Sequence, residues 1–168
     1  MNEDIEKLII TEDSTKEYIE RRNNERLEVL DEAKKTKDYI VSTTSKLETM
    51  VEHMLKYQYN INIQTRSWIN TIYRDYDETT EAVEKSTTNL INDIDKDMVK
   101  IYNNGRNKML KRNLSVDPLT VPIDNIGSDN KQIFTLDNLT NKKWVEDYLV
   151  KYAQSNEAKK ELSKRGLL

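Results

Sequence analysis

The first 104 residues contain neither glycine nor proline; Gly105 and Pro118 are the first of each. These two types normally supply about a tenth of a sequence and most of its sharp punctuation. Without them nothing obliges the backbone to turn, and the segment is free to run as helix. Apolar residues return at every seventh position along it, at Ala33, Ile40, Leu47, Met54, Ile61 and Trp68, a row that drifts slowly around a helix of about 3.6 residues per turn. The companion row reads Leu30, Lys37, Thr44, Val51, Gln58, Thr65 and Ile72, so the seam is half polar. Past Ile72 the pattern moves by one residue and continues through Tyr76, Val83 and Leu90 beside Thr80, Thr87, Ile94 and Ile101.

Unbroken, about 100 residues at ~1.5 Å each make a rod of about 150 Å. A helix of that length keeps an apolar stripe in water only by meeting a partner or folding back on itself. Fold-back is expected at Asn23-Asn24, at the Asn-rich stretch Gln58 to Asn62, or at Asn103 to Asn107, because Asn accepts the left-handed cap conformation. At the middle site Tyr57, Tyr59, Ile61 and Ile63 alternate with a period of two, but Met54, Ile61 and Trp68 hold the heptad across it and favour a continuous helix. Asn103-Asn104-Gly105 reads as a helix end, with Arg106, Lys108, Lys111 and Arg112 close behind, and Met109 and Leu110 leave room for the helix to extend past it.

Composition fits an elongated helical class. Apolar residues are 36% counting tyrosine, charged residues 34%, and the mean hydropathy is −0.87, too polar for a thick round core. Leu, Ile, Val and Phe nevertheless total 40 residues and the net charge is only −3, which argues against disorder throughout. The expected fold is all-α: residues 1–112 a long heptad-patterned helix or helical hairpin, 113–137 an extended linker with room for a short β-hairpin, and 138–168 a C-terminal amphipathic helix. In the linker, Asp117-Pro118, Pro122 and Gly127-Ser128-Asp129-Asn130 are turn chemistry. Isolated apolar pairs such as Val121/Ile123 and Ile133/Phe134 look suited to lying on another surface. Thr140 is the expected N-cap of the last helix, with Leu139 and Trp144 as its hydrophobic staple, and Gly166 its end.

Most enzyme chemistry lacks its parts. There is no cysteine and a single histidine, His53, so thiolate catalysis, Cys-ligated zinc, Ser-His-Asp and His-Glu-x-x-His arrangements are not available in their usual form. His53 reads as an exposed or half-buried helix residue. Asp93, Asp95 and Asp97 imitate the start of a calcium loop, but Met98 stands where that loop needs Gly and Asn104 where it needs Glu. Asp77, Glu78, Glu81 and Glu84 read as a solvated acidic face, since a narrow rod has no dry cleft to shift their pKa values. A glycine-free segment cannot form a phosphate-cradling loop. Asn113-Leu-Ser115 and Asn138-Leu-Thr140 match the glycosylation pattern at the frequency chance gives. The longest apolar run near the start is Leu8-Ile9-Ile10 behind Glu3-Asp4, far short of a membrane span or a secretory signal. An intracellular or virion setting is expected.

Catalytic, cofactor and metal residues are therefore not nominated, and a non-enzymatic structural or assembly protein is expected. It would work by helical homo-oligomerisation or by docking another structural protein. The oligomer seam would be Leu30, Ala33, Ile40, Leu47, Val51, Met54, Ile61, Trp68, Ile72, Val83, Leu90, Ile94 and Ile101. Trp144, Val145, Tyr148, Leu149 and Tyr152 form an aromatic stripe suited to a partner or to the chain's own rod. With 17 Asn, 19 Lys and 15 Ile, an AT-rich coding bias makes a virion or phage component the first setting to consider. The alternative is a coiled-coil module that binds nucleic acid. Residues 1–100 carry net −7 and residues 101–168 net +4, and Arg106, Lys108, Lys111 and Arg112 could grip phosphates.

Overall fold

The computed structural model describes the backbone of residues 2–168 and the side chains of residues 14–168. Leu8, Ile9 and Ile10 thus lie outside the described side chains. The described residues form seven helices and no strand: α1 (Asn2–Tyr59), α2 (Arg66–Glu84), α3 (Thr88–Lys96), α4 (Met98–Arg112), α5 (Leu136–Leu139), α6 (Lys142–Lys151) and α7 (Asn156–Lys164). The fold is all-α. Compactness divides the chain into two units, residues 1–39 and residues 40–168.

The described residues of the first unit are helix alone, and every residue from 14 to 38 is exposed. Fourteen of those 25 residues are charged, and they occupy all sides of the helix. Pairs such as Asp31–Lys35 at 2.7 Å and Arg21–Glu25 at 3.7 Å each add a few tenths of a kcal/mol to helix formation.

In the second unit only four of residues 40–59 carry a formal charge. Leu47, Met50, Val51, Met54, Leu55 and Tyr57 are buried, at the three- and four-residue spacing of a core-facing stripe. The helix stops at Tyr59. The expected continuity through Gln58 to Asn62 does not hold, and the period-two pattern marked the break. Asn60 leaves helical geometry, a 3-10 turn covers Ile61–Ile63, and α2 runs back along α1, with His53 facing Asp75. Gln64 fastens the turn. Its buried amide donates to the carbonyls of Tyr57 and Tyr152 and accepts from the amides of Gln154 and Ser155. A heptad pattern cannot register the bonds to Tyr152, Gln154 and Ser155, because those partners lie some 90 residues away.

Asp97 closes α3 and opens α4, and α4 returns parallel to α1, Asn104 and Lys108 reaching Glu48 and Arg112 reaching Glu52. Gly105 is not the expected helix end. The helix passes through it to Arg112, and a Cβ there would lie 2.7 Å from the carbonyl oxygen of Glu48 and 2.9 Å from Val51. The glycine permits close approach of two helices instead of a turn. Asn23-Asn24 is likewise interior to a continuous helix.

The linker is a fitted loop. Val116, Val121 and Phe134 are buried, while Leu114, Leu119 and Ile123 face solvent. The hairpin reduces to one isolated bridge between Ile126 and Gln132. Asp124 and Asn125 both take positive φ, 58° and 63°, and buried Asn125 accepts from the Phe134 amide at 2.8 Å and donates to the Phe134 carbonyl at 2.7 Å. A side-chain amide thus supplies the pairing that a strand's backbone would otherwise give.

The C-terminal region is two helices beyond the four-residue α5. Thr135 caps α5; Thr140 closes it, and the N-cap of α6 is Asn141, whose side chain accepts from the Trp144 amide. Ser155 caps α7, and Gly166, at φ 73°, ends it with the Leu167 amide donating to the Leu162 carbonyl, the left-handed closure expected of glycine.

Candidate interaction surfaces

The oligomer-seam residues fall into distinct environments. Leu47, Val51, Met54, Ile72, Ile94 and Ile101 are buried in the second unit's own core, at 1% exposure or less. Trp68, Val83 and Leu90 are half-buried, and Trp68 and Val83 pack against that core. Ile40 is half-buried too, and Ile61 is exposed in the turn. Leu30 and Ala33 are exposed on α1, with Tyr18, Ile19, Leu27 and Val29. In the sequence these rows form one seam, because a fold-back keeps each row's spacing while changing what it faces.

The aromatic stripe is turned inward. Tyr148 donates to the Met54 carbonyl and the Gln58 side chain, and Tyr57 donates to the Leu149 carbonyl. Phe134, Trp144, Tyr148 and Tyr152 form a chain of ring contacts with centroids 4.7–5.8 Å apart. Val145 and Leu149 are fully covered. Burial drives the phenols of Tyr57, Tyr102 and Tyr148 well above their ordinary range, so each stays a neutral donor.

Three of the four basic residues named for nucleic acid are engaged within the chain. The Arg106 guanidinium donates to the carbonyls of Pro118 and Val121, anchoring the loop. Lys108 meets Glu48 at 2.6 Å and Arg112 meets Glu52 at 2.8 Å. Glu52 is nearly buried, which demands a counter-charge. Lys111 remains exposed, without an ion pair among the described residues.

Asp77, Glu78, Glu81 and Glu84 of α2 are exposed as expected. Glu78 shares Arg74, and Lys85 bonds Glu81 and holds its carboxyl below the usual range. Asp93 pairs with Lys96 at 3.6 Å, and no metal-type cluster of three carboxylate or histidine groups occurs among the described residues. No helix among them is long and apolar enough to cross a membrane.

Sequence reasoning missed two features. The fold does contain a concavity, a cleft of about 590 Å³ beside α6, lined by Tyr59, Trp144, Asp129, Asp147 and Tyr152 among others. It exists because the last third of the chain folds onto the bundle, which a narrow rod would not allow. The second is the partner of His53. Its Nδ1 lies 2.5 Å from a carboxylate oxygen of Asp75, itself 5% exposed, 22 residues away and visible in the sequence only if the fold-back is assumed.

A family model described as domain of unknown function DUF29 matches residues 28–145, more than half of the chain; the chain belongs to that family. No curated protein and no solved structure matches it.

Proposed function

For this DUF29 chain we propose a non-enzymatic structural or assembly role, exercised by helical oligomerisation and partner docking through the N-terminal part of α1, with a virion or phage component as the setting its composition favours. One observation carries the reading: 25 consecutive helical residues, 14–38, are exposed while including Tyr18, Ile19, Leu27, Val29 and Leu30. Helix formation in water is marginal without tertiary cover, so a helical stretch that leaves these apolar side chains uncovered gains most from packing against another helix. Helical spacing groups Ile19, Val29 and Ala33 with Arg22 and Arg26 on one face. Glu25 and Glu32 flank it on one side, Lys16 and Lys37 on the other. Two parallel copies therefore set the acidic flank of one beside the basic flank of the other, the arrangement that selects pairing in coiled coils.

Light scattering on the full chain tests this. Expected is a mass that is a multiple of 19.9 kDa and falls to that value in an Ile19→Ser, Val29→Ser double variant. A single-chain mass at every concentration removes the oligomeric form. Nucleic-acid binding stands second, because Arg106, Lys108 and Arg112 are occupied by partners in the chain. If it occurs, it weakens steeply with salt.

A further inference from the structure

Beyond this assembly role, the groove between α1 and α2 has the parts of a small binding site. His53 and Lys56 stand one turn apart on α1, Trp68 and Thr71 one turn apart on α2, and together they line a cavity of about 220 Å³. That volume is the liquid share of roughly seven water molecules, room for a small molecule and not for a nucleotide.

The chemistry of the walls is one-sided. Asp75 is buried beneath the histidine, one carboxylate oxygen 2.5 Å from Nδ1 and the other 3.5 Å from the Arg74 guanidinium. A buried carboxylate needs such partners, and the contact fixes which ring nitrogen faces it. With Nδ1–H donated to Asp75, Nε2 is the free position, and it has no hydrogen-bond partner among the described residues. Lys56 holds its ammonium 4.3 Å from the centre of the Trp68 ring. The residue is half-buried, and no carboxylate pairs with it among the described residues. A partly desolvated ammonium without a counter-ion favours an anionic neighbour. Thr71 already donates its hydroxyl hydrogen to the Ser67 carbonyl at 2.9 Å, so toward the cavity it can only accept.

The cavity thus offers a cation, a histidine nitrogen, one acceptor and one flat apolar wall. A divalent cation does not suit it, since both Asp75 oxygens are engaged and Lys56 repels positive charge. A wholly apolar ligand would strand Lys56. We infer that the His53–Lys56–Trp68–Thr71 cavity binds a small oxyanion, a phosphate or a carboxylate. Lys56 donates to the oxygens; His53, held as the imidazolium between the Asp75 carboxylate and the bound anion, donates its Nε2–H to another, and Thr71 accepts from a hydroxyl where the ligand carries one. Asp75 acts as a positioning residue that orients the ring.

The chain's single histidine makes the test direct, because the imidazole nitrogen signals in a proton–nitrogen correlation spectrum belong to His53 alone. Titrated with inorganic phosphate, the full chain should show a saturable shift of the Nε2 signal, and Lys56→Gln should weaken that binding at least tenfold with the helical circular dichroism unchanged. Acetate is the second probe. Saturation by both anions supports recognition of the oxyanion alone, and saturation by phosphate alone, weakened in Thr71→Val, supports recognition of the hydroxyl as well. Signals that move with neither anion, or only linearly as with ionic strength, overturn the proposal. So does a Lys56→Gln chain that binds as tightly as the parent. If Lys56→Gln fails to fold, Lys56→Met, which keeps the contact with Trp68, replaces it under the same criteria.

Discussion

Residues 14–38 and residues 40–59 belong to one continuous helix, yet they obey different rules. The first stretch is charged at 14 of its 25 positions and exposed throughout; the second has four charged residues in 20 and a buried stripe from Leu47 to Tyr57. Helix propensity is adequate in both, since neither contains Gly or Pro. What differs is whether one face is free of charge. Secondary structure can therefore continue unchanged across a point where tertiary burial ends, and the segment without burial is where a partner has the most to contribute.

The contrast can be broken by mutation. Met54→Ala should lower the unfolding free energy of the second unit by about 2–5 kcal/mol through lost burial and a residual cavity, whereas Leu27→Ala should change it by no more than about 0.5 kcal/mol. Urea titration reads both, and equal effects would dissolve the distinction. Next in size, Asn125→Ala leaves the Phe134 amide and carbonyl without the partners they have inside the loop, at a cost of about 1–3 kcal/mol, measured the same way.

A pH titration sharpens the comparison from the other side. The second unit holds Tyr57, Tyr102 and Tyr148, whose phenols burial keeps protonated, and Tyr73, pushed up to about 12 by burial and the Glu146 carboxylate. An unfolded phenol ionises near pH 10. Above that pH the unfolded chain has released protons that the folded unit retains, so its stability falls as pH rises from about 10. Thermal melts at stepped alkaline pH should show the midpoint falling, with phenolate absorbance appearing together with unfolding. A midpoint that stays level through pH 11 would contradict the burial of these rings. Smallest of all, Lys35→Ala removes the exposed pair with Asp31 and should reduce helix content slightly, an effect of about 0.2–0.5 kcal/mol, with the urea midpoint of the second unit unmoved.

Some of the fold was legible because its causes are local. The glycine-free segment announced helix, Asn60 and the alternation around it marked a weak point, Asp117-Pro118 and Gly127 marked turns, and Gly166 marked the final cap. Gly105 shows the limit. In sequence it looks like a terminator; in the structure it faces the Glu48 carbonyl, and only the neighbouring helix explains it. The candidate site was hidden in the same way. His53 looked inert because its partner, Asp75, and the Trp68 wall come into range only after the chain reverses at Asn60 to Thr65.

What the sequence determined by itself was the all-helical class, the poverty of ordinary catalytic parts and the places where the backbone could turn, since each depends on residues within a few positions of one another. Which turns were used, which apolar rows became core and which basic groups were neutralised were decided by tertiary structure. Those outcomes depend on contacts such as Gln64 with Tyr152 and Arg112 with Glu52, whose partners are 60 to 90 residues apart and meet only when the helices pack.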